Sequence, residues 1–364
     1  MIIKDKIDDL LYKVSKPERY IGNEWNMIEK NWDQEKAKVL FSFPDIYEVG
    51  MSHLGLKIIY HKLNQEKDIL CERVFAPWPD MEKLLRKNKF PLYSLESGHE
   101  VRDFDIFAFT LQYEMSYTNI VNMLNLGGLP LYSEERTEKH PLVIAGGSTV
   151  YNPEPIAPFI DVFFIGEAEK SIVNLVRKYK NYQGKYDRKE ILYKLSQIPG
   201  VYVPSLYNIE YDQNNRIEKI SPKRDEIKPE IKRQIIKNLD EAFHPTEFIV
   251  PFMDIVHNRA VIEIARGCTR GCRFCAAGIT YRPVRERKKS TIKKLADEIL
   301  NNTGYDELSL TSLSTIDYTN IEELVKELAD KYKDNKISIA LPSLRIDQFS
   351  VELADEVQKV RKTG

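Results

Sequence analysis

The sequence predicts an α/β protein in two parts: a doubly wound sheet domain, then the opening βα units of a barrel. Three observations carry this. Short apolar runs alternate with stretches of helical spacing between about residue 38 and residue 180. The runs are mostly apolar and do not alternate strictly with polar residues, as expected of parallel strands covered on both faces. A second strand–helix alternation starts at Arg259 and continues to the last residues. With 364 residues the chain exceeds one ordinary domain, and 42% hydrophobic residues suffice for packed cores, which excludes a disordered chain.

Residues 1–35 read as a polar helical segment, with Trp25 and Trp32 as anchors that dock it on the next domain. Residues 36–182 read as the doubly wound domain. Its expected strands are 38–43 (K-V-L-F-S-F), 69–75, 105–110, 142–145 and 161–165. Its expected helices are 51–63, 80–87, 117–126 and 168–180. In such a sheet a ligand lies at the carboxyl ends of the strands. Four stretches fall there: Asp45-Ile46-Tyr47-Glu48-Val49-Gly50, Thr110-Leu111-Gln112, Gly146-Gly147-Ser148-Thr149 and Gly166-Glu167-Ala168-Glu169. The adjacent Gly146 and Gly147 would let a flat ligand approach the backbone. The bland alternative for each glycine is turn chemistry.

Residues 183–250 read as a connector, with a hairpin over 207–220 around Asp212-Gln213-Asn214-Asn215 and a charged run over 223–237. Residues 251–364 read as three βα units. The strands are 260–265, 307–311 and 337–341; the helices are 291–302, capped by Ser290 or Thr291, 320–332 and 351–360. A closed eight-unit barrel takes at least about 200 residues. The sequence stops at Arg361-Lys362-Thr363-Gly364, where a further strand is due, so the expectation is a fragment or a partial barrel completed by another chain.

Lys and Arg number 54 against 55 Asp and Glu, so charge lends no support to a general nucleic-acid or membrane surface. No apolar run of about 18 residues and no signal-peptide core appear, and a cytoplasmic location is expected.

Between the first expected strand and helix of the second part lies R-G-C-T-R-G-C-R-F-C-A-A-G, residues 266–278. It holds Cys268, Cys272 and Cys275 at C-x3-C-x2-C spacing. Soft thiolates select zinc, copper(I) or iron–sulfur. Zinc normally takes four ligands; His257 is eleven residues before Cys268, and no His or Cys follows Cys275. Cys71, the remaining cysteine, is distant in sequence and reads as a buried apolar residue. Three thiolates on a [4Fe–4S] cluster leave one iron open to a small molecule.

This loop resembles the hallmark of the radical S-adenosylmethionine (radical SAM) superfamily, C-x3-C-x-aromatic-C after the first barrel strand, with Phe274 as the aromatic residue. The likeness extends to Glu263-Ile264-Ala265-Arg266-Gly267 before the loop and to 276–278 and 281–287 after it. The whole chain resembles radical SAM proteins that carry a B12-binding-type domain: an N-terminal doubly wound (Rossmann-like, cobalamin-binding-type) domain followed by a partial radical SAM (β/α) barrel. The resemblance implies an enzyme. Cys268, Cys272 and Cys275 would bind a [4Fe–4S] cluster whose open iron takes S-adenosylmethionine, which reductive cleavage converts to a 5′-deoxyadenosyl radical. Ser312, Ser314, Ser343 and Arg345, after the second and third strands, become candidates for holding S-adenosylmethionine; the hydroxyls stand where the family often has a G-G-E-like segment. Tyr47, Gly146, Gly147 and Glu167 become the candidate cobalamin-type crevice. The family's cobalamin fingerprint is D-x-H-x-x-G, and here Tyr47 stands where the cobalt-ligating histidine would be. Cobalamin bound without a protein imidazole, or a fold that has lost the cofactor, are the two alternatives; with cobalamin, methyl transfer or a radical rearrangement is implied. A flavodoxin- or ferredoxin-type electron donor is implied as partner. The likeness to tRNA-modifying relatives admits RNA as a substrate, without support from charge. A non-catalytic iron–sulfur module and a zinc-stabilised interaction protein are the competing readings.

Overall fold

The computed structural model describes residues 3–345, 351–358 and 360. The chain divides into two compact units, Met1–Ile235 and Ile236–Gly364.

The first unit is built on a six-stranded sheet. Its strands are β1 (Ala37–Phe43), β2 (Ile69–Phe75), β3 (Ile106–Leu111), β4 (Leu142–Gly147), β5 (Val162–Phe164) and β6 (Val201–Tyr202), in the order β2-β1-β3-β4-β5-β6. All neighbours are parallel except the β5–β6 pair. Register is set by matched apolar residues: Val39 faces Cys71 on one side and Ile106 on the other. Both faces are buried, which explains why the runs are mostly apolar. One face packs Leu40, Phe107, Phe109, Ile120, Met123, Val143 and Phe163 into a single core. Because β1 lies between β2 and β3, the order in which strands are added switches sides at β1 and β3, and a crevice is expected at their carboxyl ends.

Several expectations are corrected here. The N-terminal segment is not a helix. Its regular structure is one turn, α1 (Asp8–Leu11), with short 3-10 turns at Lys4–Lys6 and Pro17–Arg19. Gly22, Asn23 and Asn26 all take positive φ and interrupt any helix. The segment packs through Ile3, Ile7, Leu10 and Tyr20 on Met81, Leu85 and Tyr93. Trp32 stacks on His99 with ring centroids 3.6 Å apart, whereas Trp25 is exposed. The helix expected over 51–63 is two helices, α2 (Tyr47–Met51) and α3 (Leu54–Asn64), because His53 caps α3 by accepting from the Leu56 amide.

Helix α4 (Pro79–Asn88) begins with Pro79 and acidic residues and ends on basic ones, in keeping with its dipole. Helix α5 (Tyr117–Leu126) follows β3, and α6 (Ile172–Tyr182) starts four residues later than expected. The stretch read as a connector holds a helix missed in the sequence, α7 (Arg188–Ser196), capped by Asp187. It also holds β6 and the hairpin of β7 (Tyr207–Tyr211) and β8 (Ile217–Pro222). The unit boundary falls after Ile235, inside that stretch.

The second unit has three parallel strands, β9 (Ala260–Glu263), β12 (Glu307–Thr311) and β13 (Ser338–Ala340), in the order β13-β12-β9. The strand expected over 260–265 is divided. After Glu263 the chain leaves the sheet, and β10 (Ala265–Arg266) pairs antiparallel with β11 (Arg285–Glu286). Between them lies the short helix α8 (Ala277–Thr280). Helix α9 (Lys289–Thr303) starts two residues before the expected residue 291. The Asp240 carboxylate accepts from the Lys288 amide at 2.9 Å and serves that end instead. Helix α10 (Ile321–Tyr332) and helix α11 (Val351–Gln358) complete the unit. The expected helix reached Val360, and Lys359 and 361–364 lie outside the described residues.

Candidate cluster and cofactor site

Because β9, β12 and β13 are parallel, the loops that follow them share one end of the sheet. All three thiols lie in the first of these loops. Its base is the β10–β11 pair, with Arg266 opposite Arg285. Gly267 has φ +91, and a Cβ there would stand 2.6 Å from the Pro283 carbonyl oxygen, so only glycine lets the loop close. The flanking arginines hold the base together. Arg266 grips Glu263 through two 2.8 Å hydrogen bonds. Burial alone would raise the Glu263 carboxyl, but Arg266 outweighs it and keeps the group below the usual range. Arg285 donates to the carbonyls of Ile236, Pro283 and Tyr281, and Arg287 to that of Glu263.

Cys268, Cys272 and Cys275 are all free thiols; Cys272 is exposed and the other two are half-buried. Phe274 is 92% exposed. Among the described residues no three His, Cys, Asp or Glu side chains are grouped closely enough to hold a metal ion. The fit to a cluster therefore rests on donor chemistry and place: three soft ligands on one pinned, accessible loop at a strand end.

The second and third loops are tied to the first by hydrogen bonds. The Arg270 amide donates to Cys268 Sγ at 3.4 Å, and its guanidinium holds Asp317 in a two-point grip, with Nε to Oδ2 at 2.7 Å. The Ser314 hydroxyl donates to the same Asp317 carboxylate at 2.8 Å. Arg270 first, with Ser314 and the field of Arg345, brings the Asp317 carboxyl down to about 2, although burial opposes this. The Ser312 hydroxyl lies 3.3 Å from that of Thr315, which donates to the Pro342 carbonyl at 2.7 Å. Ser343 follows, at φ +60. Thus Ser312, Ser314, Ser343 and Arg345 are placed on the same end of the sheet as the thiols, and the two serine hydroxyls also build the loop. Arg270 and Asp317 did not stand out in the sequence; they lie 47 residues apart, and nothing local pairs them.

In the first unit the strand ends are arranged differently. Tyr47 is buried, with its hydroxyl donating to Glu24 at 2.8 Å and its ring against Phe75. Glu24 in turn binds Arg73, which also holds Glu96. Tyr47 is therefore a core residue whose hydroxyl is already engaged by Glu24. His53, which the sequence reading passed over, lies after β1 with Nδ1 occupied by the Leu56 amide. Burial, with Lys57 nearby, lowers this imidazole to about 4, so it is neutral at neutral pH. At the end of β3 the Gln112 side chain donates to Thr110, and Tyr113 reaches Asp45 at 2.7 Å. Gly147 has φ +128, and a Cβ would meet the Leu111 carbonyl oxygen at 2.2 Å, whereas at Gly146 the nearest atom is 3.7 Å away. Beyond β5, the Glu167 amide donates to the Gln234 carbonyl at 2.9 Å.

Comparison with known proteins adds the following. Residues 55–204 match the family model described as radical SAM proteins, N-terminal, and residues 262–363 match that of the radical SAM superfamily. The uncharacterized protein MJ0966 of Methanocaldococcus jannaschii is 26% identical over 316 residues, covering 86% of this chain and 57% of its own length. The radical S-adenosylmethionine methyltransferase TsrM of Kitasatospora setae, solved with cobalamin and a [4Fe-4S] cluster bound, superposes with TM-score 0.52 at 12% identity. That match covers 89% of this chain and 57% of the TsrM chain, and it carries the fold alone. The chain spans a little over half the length of either relative. Among the described residues no helix is long and apolar enough to cross a membrane.

Proposed function

The chain belongs to the radical SAM superfamily, and from that premise we propose an enzyme in which Cys268, Cys272 and Cys275 hold a [4Fe–4S] cluster that binds S-adenosylmethionine. The observation that carries this is the placement of three free thiols, at C-x3-C-x2-C spacing, on the loop after the first strand of the second unit. Together the two groups supply reductive cleavage of S-adenosylmethionine to a 5′-deoxyadenosyl radical. The chain's own residues bind and orient. The arginines at the loop base fix where the thiols emerge, and Ser312, Ser314, Ser343 and Arg345 are the side chains that meet S-adenosylmethionine. Arg345 suits its carboxylate because a guanidinium offers two parallel donors. Electrons enter from a flavodoxin- or ferredoxin-type donor.

The first unit is a cobalamin-type domain in this reading, and the partner reaction is methyl transfer or a radical rearrangement. Tyr47 is committed to Glu24, and His53 to the start of α3. Cobalamin held at this sheet would therefore take no imidazole from either position.

The test is anaerobic reconstitution of the full chain with iron and sulfide, followed by dithionite and S-adenosylmethionine. The expected products are a brown [4Fe–4S] protein and 5′-deoxyadenosine. An intact cluster that yields none sinks the assignment. Loading with cobalamin before gel filtration tests the second part; a protein that retains no corrinoid spectrum removes it.

A further inference from the structure

Asp317 is placed to do more than close its own turn. It lies beyond the end of β12, accepts from Ser314 in its own loop, and is held at two points by Arg270, which lies between the first two cysteines. Through Arg270 the chain of contacts reaches Cys268; through Ser312 and Thr315 it reaches Pro342, next to Ser343. One hydrogen-bonded line thus joins the loops after β9, β12 and β13, and the Arg270–Asp317 clasp is its link between the cysteine loop and the other two.

The clasp is partly open to solvent, with side chains 37% and 20% exposed. A pair in that setting contributes little to global stability. A planar fork on a carboxylate is, however, directional, and it fixes the relative position of the two segments it joins. We propose that Arg270 and Asp317 are positioning residues that register the cysteine loop against the loops after β12 and β13, so that S-adenosylmethionine can meet the cluster and the strand-end side chains together. This rests on the radical SAM reading above. The Arg270 side chain is on Asp317, and it is the Arg270 backbone amide that contacts Cys268.

The test follows the EPR signal of the dithionite-reduced cluster in the full chain as S-adenosylmethionine is added. Asp317→Asn and Arg270→Gln should keep the wild-type iron content and the wild-type signal before addition. Both should need about two- to fivefold more S-adenosylmethionine for half the spectral change, the factor expected of a lost ion pair of this kind. Arg270→Lys, which keeps the charge and loses the fork, should fall between. Wild-type titration curves in both single variants overturn the proposal. So does loss of the cluster from Asp317→Asn, which leaves the cysteine loop's own sequence intact and would assign the pair to folding that loop. A wild-type protein that takes up no cluster, or whose signal ignores S-adenosylmethionine, overturns the underlying reading and the proposal with it.

Discussion

In the first unit the residues after β1 turn inward, and Tyr47 ends on a buried Glu24–Arg73–Glu96 network. In the second unit the residues after β9 turn outward, and Cys272 and Phe274 end in solvent. Both are strand-end segments of parallel sheets, the place where α/β proteins put their ligands. The difference lies in what each polar atom is already bonded to. Tyr47 has an internal partner for its one donor, so burial is stable and no ligand is called for. The three thiols are unbridged and lie on a loop whose closure comes from its flanks, not from the thiols themselves. A strand-end position marks where a ligand can bind; unbridged thiols at one are what favour the cysteine loop for the proposed cluster.

The largest expected effect tests the outward side. Cys272→Ser should lower iron and acid-labile sulfide per chain by more than about tenfold, because altering even the outer partners of a metal ligand costs 10–100-fold in affinity. Cys272 is exposed, so the unfolding free energy of the metal-free protein should move by less than about 0.5 kcal/mol. Chemical analysis of reconstituted protein and urea unfolding of the metal-free form check the two halves. A variant that kept its iron would break the contrast.

Next in size is the inward side. Arg73 is fully buried and carries two carboxylates, Glu24 and Glu96. Burial would raise Glu24, and Arg73 outweighs it and holds it down; for Glu96 burial prevails and the carboxyl is raised. Arg73→Met removes the cation that bridges them and should destabilise the first unit by about 3–5 kcal/mol, the usual result of stranding buried charge. Urea unfolding, followed by a probe in the first unit, measures this. The cysteine loop belongs to the other unit and should still take up iron where the variant stays folded.

How much of this was legible in the sequence follows from how local each cause is. The strands were readable because a doubly covered strand is mostly apolar, as 39–43 is apart from Ser42. The cysteine loop was readable because its spacing is a constraint within eight residues. Helix α7 was also signalled locally, by Asp187 followed by Ile191, Leu192 and Leu195, and was hidden only by a charged neighbourhood. Tyr47 could not be assigned from its neighbours, since its partner Glu24 is 23 residues away and becomes acceptable in the core only through Arg73. Arg270 and Asp317 share that property. Local periodicity reports elements; pairings across tens of residues are set by the packed structure.

The smallest effect divides two residues that the sequence presents as equals. Gly146 and Gly147 are adjacent, and both end β4. Gly147→Ala would force a side chain into positive φ and drive its Cβ to 2.2 Å from the Leu111 carbonyl oxygen, which is backbone and cannot swing away. A loss of roughly 2–4 kcal/mol is expected from strain and crowding together. Gly146→Ala would place its Cβ 3.7 Å from the nearest atom, an ordinary contact at ordinary φ, and should change stability by less than about 0.5 kcal/mol. Thermal or urea unfolding of the two variants side by side makes the comparison. The expected inequality would assign the glycine at Gly147 to the approach of β4 and β3, a structural demand. It would leave Gly146 as the member of the pair whose missing side chain the fold does not need, and so as the one position at this strand end where a bound ligand would be the reason for glycine.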